Sequence, residues 1–245
     1  MLAAQVVGLS PWSIALAIVI VIVGSATQAS IGIGLGLLAA PTLVLIDPGF
    51  IPGAISVCVV PLTIGMTIRE RGHIDPTILR AAIGRFLGVV IGTVVLAQAG
   101  RGSIAIVVAA SVLLAVIGSA SGLSFAPSGR NLLLAGTASG FSGTVAAIGG
   151  PPMALTYQHA DPRTLRASLA AFNTIGSAFT IPGLVIAGVL GVRELRLAAL
   201  LVPGVFVGLL LGRVGIARLP AHRVRAFVLL ACASSAVVLL ANELV

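Results

Sequence analysis

The chain alternates long apolar runs with short polar or turn-forming stretches. The runs cover residues 12–46, 51–68, 78–97, 104–121, 132–157, 165–190, 197–216 and 224–240. Most have the length of one helical crossing of a hydrocarbon layer, roughly 20 residues. The first and fifth are too long for one crossing, and both are interrupted from within. Gly32, Gly34, Gly36 and Pro41 break the first, and Gly149-Gly150-Pro151-Pro152 breaks the fifth. The pattern predicts an all-α polytopic membrane protein of about eight transmembrane helices, with broken helices near the midplane. Every linker is short, so residues 1–245 read as a single transmembrane domain.

The order of features repeats. Gly84, Gly88 and Gly92 in the third run are answered by Gly204, Gly208 and Gly212 in the seventh. Thr63-Ile64-Gly65 is answered by Thr174-Ile175-Gly176, and Ala40-Pro41 with Asp47-Pro48 by Gly150-Pro151 with Asp161-Pro162. This series implies two duplicated halves, about 12–122 and 129–243. Glycine at every fourth position lines one helix face, where it permits close backbone packing in lipid. The three Asp-Pro pairs, at Asp47, Asp75 and Asp161, read as helix caps with Pro in the first turn.

Composition narrows the class. Hydrophobic residues make up 58% of the chain and charged residues 8%, with a mean hydropathy of +1.20. So little charge cannot cover a water-facing surface. The net charge is +8 and every basic residue is Arg, scattered over short loops, which does not make a nucleic-acid-binding face. Cys58 and Cys232 stand in apolar runs as small buried residues. No Walker A loop, cofactor motif or metal-ligand cluster occurs in the sequence.

Paired Gly/Pro interruptions at matching places are the best sequence pointer to a transporter's substrate site. They free backbone groups, which membrane depth tolerates only inside protein or beside a wet cavity. The N-terminal end of a half-helix is partly positive and suits an anion. The candidate substrate-binding residues are therefore Gln28, Ser30, Gly34, Gly36 and Pro41 at the first break. Ser142, Gly149, Gly150, Pro151 and Pro152 stand at the second, and Asn173 and Thr174 follow it. Arg85, two turns inside the third run, is either a charge partner for the anion or a side chain that snorkels outward beside Arg80 and Arg71. Eight alternating spans would put Arg69, Arg71, Arg80, Arg130, Arg193 and Arg196 on one face. Arg101, Arg163, Arg166, Arg213, Arg218, Arg223 and Arg225 would lie on the other, too even a split to orient the chain.

The glycine-rich break followed by Pro in each half, above all Gly140-Phe-Ser-Gly143-Thr-Val-Ala-Ala-Ile-Gly149-Gly150-Pro151-Pro152, resembles the TauE/SafE family of sulfite exporters. That resemblance implies a secondary transporter of the bacterial inner membrane, working by alternating access on a small sulfur-containing anion such as sulfite or an organosulfonate. Its expected partners are that solute and the lipid bilayer, with a coupling ion (proton or sodium) and a homo-oligomeric assembly compatible with the class. Two rivals belong to other classes. Gly140-Phe141-Ser142-Gly143 fits the G-x-S-G pattern of an intramembrane serine protease, which would need a His beside Ser142. A non-transporting membrane scaffold would move nothing.

Overall fold

The structure is a computed structural model that describes residues 8–98, 101–121, 125–214, 230 and 232–234. The described residues form helices and turns, with no strand among them. In chain order the helices are α1 (Pro11–Ile31), α2 (Leu35–Val44), α3 (Gly53–Glu70), α4 (Ile78–Gln98), α5 (Arg101–Ala120), α6 (Gly129–Ala146), α7 (Gly150–Tyr157), α8 (Pro162–Ile186) and α9 (Val192–Val214). Short 3-10 turns, Pro48–Phe50 and Arg71–His73, flank α3. Five segments are long and apolar enough to cross a membrane on their own: α1, α3 with its flanking turns, α4, α8 and α9. The predicted eighth run, 224–240, lies outside the described residues except for Leu230 and residues 232–234.

Local chemistry sets the helix starts. Ser10 accepts the Ser13 N–H at 3.1 Å ahead of Pro11, and Ser128 accepts the Asn131 N–H at 3.3 Å. Asp161 accepts the Arg163 and Thr164 N–H groups at 2.9 and 3.4 Å, with Pro162 at the first helical position. Asp47 and Asp75 each accept the N–H two residues on, from Gly49 at 2.7 Å and Thr77 at 2.8 Å. All three Asp-Pro carboxylates are thus used as caps or turn locks, as the sequence suggested.

At each break the chain turns back. α1 ends at Gly32, whose φ of +89° is left-handed, and α2 then runs antiparallel alongside it. A Cβ on Gly24 of α1 would lie 3.1 Å from the Leu35 Cα. Likewise α6 ends at Ala147, with φ +58°, and α7 returns until Leu155 accepts the Phe125 N–H at 3.2 Å near the base of α6. The sequence leaves open whether each overlong run is one broken helix or two segments; in the structure each is a full helix followed by a short return helix. The reason is the left-handed residue, which reverses direction where a proline alone would only kink.

The glycine stripes do what their spacing suggested. Gly84 and Gly88 of α4 press onto the backbone of α6 from Leu133 to Phe141, so close that an added Cβ would overlap carbonyl oxygens. Gly208 and Gly212 of α9 press onto the Ile22 and Ala26 carbonyls of α1, each 2.5 Å from an added Cβ. Both pairs run parallel, and both join a helix of one sequence half to the first helix of the other. Between them α3 and α8 pack antiparallel, tied by the Thr67–Thr174 hydroxyl pair at 3.1 Å.

Because the breaks reverse the chain, the ends of the bundle differ from those expected for alternating spans. The end holding the C-terminus of α3 and the N-terminus of α8 collects Arg69, Arg71, Arg80, Arg130, Arg163, Arg166 and Arg213. The opposite end holds Arg101, Arg193 and Arg196. Arg218, Arg223 and Arg225 lie outside the described residues.

Candidate functional site

The two hairpin tips meet. Each reads left-handed residue, Ile, Gly, helix start: Gly32-Ile33-Gly34 before α2 and Ala147-Ile148-Gly149 before α7. Their contacts are reciprocal. A Cβ on Gly36 would overlap the Ala147 carbonyl oxygen and sit 3.3 Å from the Ile148 Cα. One on Gly150 would sit 2.8 Å from the Ile33 Cγ2. Only glycine lets the two backbones touch in this way.

Between the tips lies a narrow cavity of about 20 Å³ lined by Gln28, Gly32, Ile33, Gly34, Gly36, Leu37, Val59, Ala147, Ile148, Gly149, Gly150, Pro151 and Asn173. Val59 and Asn173 stand part-way along α3 and α8, which puts the cavity at mid-depth of the bundle. First-turn amides have no partner inside their own helix, so those of Gly36 and Leu37 stand at its wall. α7 presents fewer, because Pro151 and Pro152 carry no N–H. Gln28 is 6% exposed, and its Oε1 accepts the Leu35 N–H at 3.0 Å, so its carbonyl end caps α2.

Arg85 stands directly behind this cavity. It does not snorkel: it is 4% exposed and its guanidinium points inward. Nη1 donates to Ser139 Oγ at 3.1 Å, to Asn173 Oδ1 at 3.3 Å and to the Ser139 carbonyl at 3.4 Å. Cζ stacks 4.9 Å above the centre of the Phe172 ring. Nε is buried with no hydrogen-bond partner. Among the described residues no carboxylate pairs with Arg85; the ion pairs there are Arg69–Glu70, Arg166–Glu70 and Arg193–Asp47. Gly143, Gly149 and Gly176 make its room, and a Cβ on any of them would meet the guanidinium within 3.0 Å. Ser139 braces the assembly by donating its hydroxyl to the Gly149 carbonyl. A charge held at depth without a counter-ion is costly, because desolvation takes several kcal/mol even after relaxation. An anion between the tips would offset it.

Seven of the residues singled out in the sequence line the cavity: Gln28, Gly34, Gly36, Gly149, Gly150, Pro151 and Asn173. Arg85 joins them through Gly149 and Asn173. The others stand elsewhere. Ser30 donates to the Ala26 and Gly212 carbonyls at 2.8 and 3.0 Å, tying α1 to α9. Pro41 is buried within α2. Ser142 donates to Ala138 and Ile148 carbonyls at 2.9 and 2.7 Å, and among the described residues no His is hydrogen-bonded to it, as a serine nucleophile would require. Pro152 faces a separate cleft beside Leu155, and Thr174 bonds Ala170 and Thr67. Sequence reading missed Ser139, whose only signal was its place about two turns before the break. It also missed Val59, for which there was no signal.

A family model, sulfite exporter TauE/SafE, matches residues 16–239. The chain belongs to the TauE/SafE family. It is therefore an integral membrane transporter and not an enzyme, with a small solute and lipid as its partners. No curated protein and no solved structure matches it.

Proposed function

We propose that this chain carries a small sulfur oxyanion, sulfite or an organosulfonate, across the bacterial inner membrane by alternating access. The anion sits between the hairpin tips. Arg85 supplies charge, the Gly36 and Leu37 amides and Asn173 supply hydrogen bonds, and the glycines keep the wall at backbone distance. The observation that carries this reading is the buried Arg85 guanidinium, with no carboxylate beside it among the described residues, behind two glycine-lined helix starts. A cavity of about 20 Å³ holds one water-sized guest, so the tips must part to admit an oxyanion. The halves, 12–122 and 129–243, act as inverted repeats of a protein with about eight spans. Support comes from the opposite directions of α1 and α6 and the reciprocal packing of α4 on α6 and α9 on α1. A proton or sodium gradient is the driving partner.

Flux of labelled sulfite in proteoliposomes tests the reading. Asn173→Ala and Gly150→Leu should each lower flux while membrane yield stays normal. Normal flux in both variants would place the carrier site elsewhere.

A further inference from the structure

The last turn of α1 separates the central cavity from a second, wider one. This second cavity, about 320 Å³, is lined by Ser30, Arg69, Glu70, Arg166 and Arg213 together with small residues. Its arginines come from three helices: the end of α3, the start of α8 and the end of α9. Three guanidinium groups against one carboxylate leave it two positive charges in excess. Glu70 stands among them and uses one oxygen only. Its Oε1 accepts from Arg69 at 2.7 Å and from the Nε and Nη2 of Arg166 at 3.3 Å each. Its Oε2 is buried without a partner. Arg213 is exposed, with no ion pair among the described residues.

Two further observations connect this cavity to transport. A Cβ on Gly32 would lie 3.4 Å from both Cα and Cγ of Arg166, while Gly32 itself lines the central cavity. Arg166 therefore backs directly onto the hairpin tip. The cavity also opens at the arginine-rich end of the bundle, which carries seven of the arginines placed at either end against three opposite (Arg69, Arg71, Arg80, Arg130, Arg163, Arg166 and Arg213 against Arg101, Arg193 and Arg196). The positive-inside rule assigns that end to the cytoplasm.

We propose that this cavity is a cytoplasmic loading site for the anion, in which the solute displaces Glu70 from Arg69 and Arg166. The inference rests on the anion-transport reading above. A carboxylate and a small oxyanion are alternative partners for the same guanidinium fork. Glu70 engages through a single oxygen, so an incoming oxyanion replaces it without stripping a bidentate pair. When the solute moves on past Gly32, Glu70 returns and the two arginines are not left unpaired. The resident carboxylate also keeps binding weak enough for release, as a multi-site conduction path requires.

Sidedness tests it. Labelled sulfite uptake is measured in inside-out and right-side-out membrane vesicles. Arg166→Gln should raise the half-saturating sulfite concentration about ten-fold or more at the cytoplasmic face, the effect of one lost charge-assisted hydrogen bond. It should leave the opposite face unchanged. Glu70→Gln should lower that concentration at the cytoplasmic face. Arg213→Gln removes an exposed side chain and should show the same one-sided rise even where Arg166→Gln does not fold. Arg85→Gln, in contrast, should weaken both faces. Equal shifts at both faces, or none, for Arg166→Gln, Glu70→Gln and Arg213→Gln would overturn the loading site while leaving the central site standing. If wild-type vesicles move neither sulfite nor competing sulfate or thiosulfate, the transport reading fails and the loading site falls with it.

Discussion

Replacing Arg85 by Gln removes one charge from the centre of the bundle and leaves a shorter, neutral amide in place of the guanidinium. Two effects on the folded protein oppose each other. The variant loses the Nη1 hydrogen bonds to Ser139 and Asn173, at about 1.5–3 kcal/mol for a charged donor. It also sheds the desolvation penalty of a guanidinium with no counter-ion, which is several kcal/mol. These terms are similar in size, so the unfolding temperature without anion should move little. Binding behaves differently. An oxyanion about 4 Å from the guanidinium gains about 4 kcal/mol at an effective dielectric of about 20. Its loss corresponds to an affinity about 10³-fold weaker. The assay is thermal unfolding of purified protein against rising sulfite and sulfate, since a ligand of the folded state raises the transition by mass action. Wild type should shift with anion, and Arg85→Gln should unfold at nearly the same starting temperature and show no shift. Arg85→Lys keeps the charge but not the fork and should fall between. A variant that still binds with unchanged affinity would refute the role of Arg85.

Three further outcomes follow from the geometry. Gly36→Ala drives a methyl into the Ala147 carbonyl, so it should abolish flux and destabilise the fold by about 1–3 kcal/mol, read by chemical denaturation. Ser139→Ala leaves the Gly149 carbonyl and an Arg85 donor short of a partner at depth, and should cost about 1–3 kcal/mol with slower transport. Burial acts to raise the Asp47 carboxyl, but the Arg193 hydrogen bond, the Gly49 N–H and the Arg193 charge outweigh it and hold it below 3.8. Its stabilisation is thus present above pH 3.8 and lost as pH falls through the lower folded-state value. Half of the Arg193 side chain is exposed, so Asp47→Asn should remove under about 1 kcal/mol at neutral pH and flatten the acid limb of stability.

The helices, their capping carboxylates and the packing role of the glycine stripes were legible in the sequence because each rests on local spacing or on the lack of water in lipid. The breaks were legible as places but not as shapes. Gly32 and Ala147 both adopt left-handed backbone, yet Ala147 carries no signal of it, and strict alternation of spans separates Arg163, Arg166 and Arg213 from Arg69, Arg71, Arg80 and Arg130, which the reversals bring to one end. Gly36 and Gly149 were found because the breaks themselves line the central cavity proposed as the site. Ser30, Ser142 and Thr174 were drawn in by chemistry alone. In the fold their hydroxyls bond helix carbonyls, the usual use of Ser and Thr in an apolar helix. The position of Arg85 depended on whether neighbouring helices left room at depth, and that room comes from Gly143, Gly149 and Gly176, far apart along the chain.

The parallel glycine contacts join α4 to α6 and α9 to α1, so the two sequence halves are interlaced rather than set side by side. Cutting the connection between α5 and α6 would not release two self-sufficient pieces, because each piece would bare a glycine seam whose mate lies in the other. Any rocking motion must then keep those seams shut. Under the proposed alternating access, the bodies moving past one another would be composites drawn from both halves of the sequence, and they would part where the hairpin tips touch.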